Sequence, residues 1–191
     1  VHVEIPRELV RAENRNELTE YVTALRGHPA LVDWYLYDEP EYKWEARPGK
    51  LRDARKELEL LDPGTDVALV FMFPILSKPY RSVMDELWID WYPVSENSRE
   101  FSALRHGAYV KRMLRFGGRA EAYGMPLTLV LQGFGENASG ESQFWRRLPT
   151  EAEARHMFWA SLLARPSEVL YWTWYRADRI WIEEVLSPII R

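Results

Sequence analysis

Residues Asp66–Phe73 read Asp-Val-Ala-Leu-Val-Phe-Met-Phe, a nearly unbroken apolar run closed by Pro74. A strand wet on one face alternates apolar with polar residues. An unbroken run of this length suits a strand covered on both faces, as in a parallel sheet flanked by helices. Similar runs lie at Leu31–Tyr37, Leu87–Tyr92, Met125–Gln132 and Glu168–Tyr175, and a shorter one, Val1–Ile5, opens the chain. Prolines at 6, 40, 74 and 93 follow four of the six, where a ring without an N–H ends ordinary strand pairing.

Helical spacing fills the gaps. Leu18, Tyr21, Val22 and Leu25 mark a helix over Asn16–Leu25, stopped by Gly27 and Pro29. Lys50–Leu61 is a second, ended by Asp62-Pro63-Gly64, with Asp53–Glu57 and Arg55–Glu59 on a solvated face. Tyr80–Asp85 suggests a helical turn. Asn97 or Ser98 caps a long helix reaching about Tyr123. Thr150 with Glu153 forms a capping box for a helix to about Ala164, and Arg179–Ile190 is the last helix. Strict β-α alternation with buried strands predicts an α/β fold: an incomplete TIM-type (β/α) barrel of about six parallel strands, as one domain over residues 1–191.

Composition narrows the function. Net charge is −4 and no basic stripe is present, so nucleic acid is not an expected partner. No apolar run approaches the roughly 20 residues that cross a bilayer. The absence of cysteine removes thiolate nucleophiles and cysteine zinc sites and leaves the compartment open. No signal peptide is visible, and the abrupt opening on a strand suggests an upstream part. His2, His28, His106 and His156 are not spaced as metal ligands, and neither a phosphate-binding loop nor a nucleophile elbow occurs. No metal or cofactor is expected.

In parallel α/β sheets function collects beyond the carboxyl ends of the strands. There the sequence places Asp38, Glu39 and Glu41, then Asp90, Trp91 and Tyr92, then Gln132, then Trp172 and Trp174. Carboxylates, an amide and indole rings are the inventory of a sugar site, and glycosidic bonds are usually cleaved by a pair of carboxyl groups. Trp34, Trp88 and Trp172 read as core.

The segment His28-Pro29-Ala30-Leu31-Val32-Asp33-Trp34-Tyr35-Leu36-Tyr37-Asp38-Glu39-Pro40-Glu41 resembles the fourth-strand segment of clan A glycoside hydrolases. Asp90-Trp91-Tyr92-Pro93, Leu131-Gln132-Gly133-Phe134, Pro149–Arg155 and the Trp172/Trp174 pair match the sixth strand, seventh strand, seventh helix and eighth strand in order. The resemblance implies that Val1–Ile5 is the third strand, with the first two absent. It implies Glu39 as acid/base and Asp38 in place of the family's Asn. The family's nucleophilic glutamate falls on Gln132, while Glu136 and Glu141 lie in the next loop, out of register. Asp90 is then the expected catalytic partner. A carboxyl separation of about 6.5–9.5 Å would suit inversion and about 5–5.5 Å retention. Asp38, Tyr92, Gln132 and Trp174 are the expected substrate contacts.

Six strands leave a closed barrel two short. Val3, Val67, Leu69 and Phe71 would then line an uncovered interior, and a homo-oligomer covering the open edge is expected. Three functions compete. One is a glycosidase acting on an oligosaccharide or β-linked glycoside. Another is a non-catalytic carbohydrate-binding or scaffold protein in which Gln132 marks a lost nucleophile. The third is a metal-assisted hydrolase using Asp38, Glu39 and Asp90.

Overall fold

The computed structural model of the chain describes residues 1–11, 15–42, 46–94, 106–135, 147–172 and 179–190. Six parallel strands lie in one sheet in sequence order: β1 (His2–Glu4), β2 (Asp33–Asp38), β3 (Asp66–Phe71), β4 (Glu86–Asp90), β5 (Leu127–Gln132) and β6 (Glu168–Trp172). Helices alternate with them: α1 (Arg7–Arg11), α2 (Asn16–Leu25), α3 (Pro48–Leu61), α4 (His106–Tyr123) and α5 (Glu151–Ser161), then the C-terminal stretch Arg179–Trp181, Ile182–Leu186 and Ser187–Ile190. This is the expected α/β fold, an incomplete (β/α) barrel in element order. The chain divides into two compact units, Val1–Ile89 with Ala122–Pro126 and Asp90–Glu121 with Leu127–Arg191.

In the first unit, α2 buries Leu18 and Val22, one turn apart on one face. Helix α3 opens on Pro48, in a first turn that does not need its N–H, and buries Leu51, Ala54 and Leu58 on one stripe. The expected turn at Tyr80–Asp85 is a 3₁₀ helix over Lys78–Val83. The register pairs His2 with Asp33 and Glu4 with Tyr35, and a bulge between Tyr35 and Tyr37 resets the β2–β3 ladder so that Asp38 pairs with Val70.

The two faces of this part of the sheet differ from expectation. Val67, Leu69 and Phe71 do not line an uncovered interior; all three are 0% exposed. They lie on the helix side. Trp34, paired with Val67, donates from Nε1 to Asp62 at the end of α3 (2.8 Å), and Phe71 packs edge-on to Tyr80. The opposite face carries polar and aromatic groups that engage one another. His2 Nδ1 meets Asp33 Oδ2 at 2.6 Å, Trp88 donates to Glu86 at 2.8 Å, and the Trp88 ring takes His2 edge-on at 4.7 Å and stacks on Tyr35 at 5.4 Å. Burial pushes the Glu86 carboxyl up, with Asp33 and Asp66 adding to it.

In the second unit, β5 is buried along its whole length and pairs with β6 from Thr128–Glu168 to Gln132–Trp172. Helix α5 starts as expected: Thr150 Oγ1 accepts from the Glu153 N–H, and the Glu153 carboxylate accepts from the Thr150 N–H. Arg147 adds a two-pronged pair to the buried Glu153 (2.7 and 2.9 Å). Trp181, Leu186 and Ile189 of the C-terminal stretch pack with Ala154. The expected cap at Asn97 or Ser98 and residues 173–175 of the last strand lie outside the described residues.

Candidate active site

Asp38 ends β2 in the first unit, and Glu39 follows it at the carboxyl end of the strand. Glu39 has φ 45°. That left-handed conformation costs a residue with a Cβ about 1–2 kcal/mol. The only other described non-glycine residue there, Arg165, stops the 3₁₀ turn after α5, a common use of such a residue. Glu39 ends no helix. Its turn is instead fixed at both ends, because its N–H donates to Val70 O (3.0 Å) and its carbonyl accepts from the Tyr42 N–H (2.9 Å). Strain of this kind collects where a side chain must be aimed.

Asp38 is charge-balanced. Arg7 Nη2 donates to its Oδ2 at 2.7 Å and the Tyr35 hydroxyl donates to its Oδ1. Arg7 and Arg11 both lie over the Tyr37 ring, at 5.4 and 5.5 Å. Beside this group is an open cavity of about 350 Å³ lined by Glu4, Pro6, Arg7 and Glu8. It sits where β1 ends, the same end of the sheet as Asp38. Burial, then the charge of Asp38, pushes the Glu4 carboxyl up, and Arg7 opposes them.

Glu41 completes the turn. It is 3% exposed, and one carboxylate oxygen accepts from the Phe73 N–H at 2.7 Å. The other is buried with no hydrogen-bond partner among the described residues. Burial first, with the charge of Glu39 adding to it, raises the Glu41 carboxyl to about 7. The buried Tyr80 hydroxyl, which donates to Pro40 O and Ala46 O, is pushed up to about 12 by burial and then by Glu41.

Asp90, Tyr92 and Gln132 belong to the second unit. Asp90 ends β4 and is buried. Tyr92 packs edge-on to Phe134 at 4.9 Å, and Arg112 covers the Trp91 ring at 3.6 Å. Gln132 is 0% exposed, and its amide is engaged with backbone. Oε1 accepts from the Val94 N–H (2.9 Å), and Nε2 donates to Val94 O (2.9 Å) and Phe134 O (3.2 Å). Trp174, Glu136 and Glu141 lie outside the described residues.

Sequence reasoning passed over Glu4 and Arg7. The strand-end rule would have reached Glu4, which stands two residues before Pro6 at the end of β1. Arg7 had no such signal, since its bond to Asp38 spans 31 positions.

No family model matches the chain, and no curated protein matches it. Solved structures do. One is a candidate α-L-fucosidase from Bacteroides thetaiotaomicron (10% identity, TM-score 0.63, covering 93% of this chain and 59% of that one). Another is a glycoside hydrolase family 17 β-1,3-glucanosyltransferase from Rhizomucor miehei (13%, 0.59, 91% and 63%). A third is a family 51 α-L-arabinofuranosidase from Bifidobacterium longum (13%, 0.56, 82% and 44%). At these identities the likeness is one of fold: the chain has a glycosidase-like fold and spans under two thirds of each of these proteins.

Proposed function

We propose that this chain is the site-bearing part of a glycosidase acting on an oligosaccharide or β-linked glycoside, with Glu39 as general acid/base. The observation that carries the reading is the strained, doubly anchored turn that presents Glu39 at a strand's carboxyl end. A fold likeness does not by itself give an activity, so the weight rests on that residue. Asp90 is the proposed second carboxyl group. Asp38 is the proposed hydroxyl acceptor, oriented by Arg7 and Tyr35, and Tyr92 and Trp174 are proposed sugar-facing rings. Gln132 enters as the brace that holds Val94 and Phe134, the latter packed against Tyr92. Self-association belongs to the reading as well.

One observation favours a second reading. The amide at the position of the expected nucleophile is spent on backbone, which fits a protein that binds sugar without cleaving it. Hydrolysis of a panel of aryl glycosides, run beside calorimetric binding of the corresponding free sugars, separates the two. The glycosidase reading expects turnover that Glu39→Gln lowers roughly 10²–10⁴-fold. Binding with no turnover in the wild type supports the second reading, and turnover untouched by Glu39→Gln removes Glu39 from the role.

A further inference from the structure

The group that the proposed chemistry does not use is Glu41. Its carboxyl reaches from the turn after β2 to the backbone just beyond β3, and its second oxygen has no hydrogen-bond partner among the described residues. Keeping a carboxyl in such a place is costly when it is charged and tolerable when it is neutral. The residue lies two positions from Glu39, so the two cannot both ionise without mutual repulsion. The described groups that act on it are Glu39 and the Tyr80 hydroxyl, and the backbone N–H groups of Phe73, of Glu41 itself and of Met72, which favour its charged form. Lys43 and Glu45 follow it in sequence, outside the described residues.

We infer that Glu41 is a positioning residue for Glu39: its carboxyl, accepting from the Phe73 N–H, fastens the turn that aims Glu39, and its ionisation sets a buried second negative charge beside Glu39, whose desolvation and repulsion outweigh the stronger hydrogen bond and loosen that turn. The inference rests on the reading of Glu39 as the acid/base for its catalytic meaning, but its physical content does not. Burial and the Glu39 charge both favour the proton on Glu41, so the switch between the two states falls near neutrality. Isosteric Gln keeps the acceptor for the Phe73 N–H and removes the ionisation.

The test is a carboxyl ¹³C titration of glutamate-labelled full chain, with the Glu41 signal identified by its loss in Glu41→Gln. Glu41 is expected to titrate near pH 7, and the Glu39 signal to show a second inflection at the same pH that vanishes in Glu41→Gln. Should that variant not fold, Glu39→Gln serves instead: removing the neighbouring charge must move the Glu41 midpoint down. On an active glycoside, the wild type should lose kcat/KM through an inflection near pH 7 that is missing from Glu41→Gln. A Glu41 midpoint below 5, a Glu39 signal blind to Glu41, or the same inflection in Glu41→Gln would overturn the inference. Coupled titration in a protein that cleaves no glycoside would leave the pairing standing and remove the glycosidase reading instead.

Discussion

At Glu39 the backbone and the side chain ask for different residues. A φ of 45° suits glycine, and the chain keeps a glutamate there. Glu39→Gly should therefore be more stable than Glu39→Ala by about 1 kcal/mol, read from the difference in urea midpoints, while both lack the carboxyl. Equal stabilities would mean that the turn is unstrained. At Glu41 the prediction is one of pH. The carboxyl ordinarily titrates near 4.5 and is raised to about 7 in the fold. The folded state therefore holds a proton that the unfolded chain has released between those values. This contribution to stability is complete below about 4.5 and is lost as pH rises through about 7, at up to about 1.4 kcal/mol per pH unit. Chemical unfolding at pH 5 and pH 8 should show that loss in the wild type and a smaller one in Glu41→Gln. Asp38 and Glu39 were legible as site candidates because a strand ending in Asp-Glu-Pro is a local pattern. The partners Arg7 and Phe73 were not, since tertiary contacts leave no local pattern.

Elements with a local cause were read closely. Asn16–Leu25 matches the observed helix, and the Thr150–Glu153 box was visible from residue types three apart. The five-residue α1 was too short to show a period, and the π turn at Ile182–Leu186, inside an otherwise helical pattern, leaves no mark in the spacing. Helix α4 gives a test of opposite signs at adjacent positions. A Cβ on Gly117 would meet the carbonyl oxygen of Ala164 at 2.5 Å, whereas one on Gly118 meets nothing within 4 Å. Gly118→Ala should stabilise by about 0.5–1 kcal/mol, and Gly117→Ala should destabilise because backbone has to move. At α5, Thr150→Ala removes one cap bond and should cost about 1 kcal/mol. Arg147→Ala, which removes the two-pronged ion pair to the buried Glu153, should cost roughly 3 kcal/mol. Thermal unfolding ranks all four, and a Gly117→Ala more stable than wild type would contradict the close helix approach.

At the scale of the whole molecule, strand number, order and parallel sense were legible because each buried apolar run is bounded by turn residues. The faces were not. A run such as Val67–Phe71 has no alternation to say which side meets the helices, and the bulge at Tyr35/Tyr37 shifts the ladder without a glycine to mark it. Assigning Val67, Leu69 and Phe71 to the wrong face is what made an open interior look costly, and their burial removes that part of the case for self-association. Strands β1 and β6 still end the sheet order, and light scattering decides what becomes of their edges: a dimer supports edge pairing, a monomer at high concentration removes it. As the proposed general acid, Glu39 donates a proton to a departing sugar oxygen. The most direct test of that role is the dependence of kcat/KM on leaving-group acidity for the wild type and Glu39→Gln. A general acid matters most when the leaving group is poor, so the variant should approach wild-type rates on dinitrophenyl glycosides and fall steeply behind on alkyl glycosides. Two parallel lines, or no turnover of any glycoside by the wild type, would contradict it.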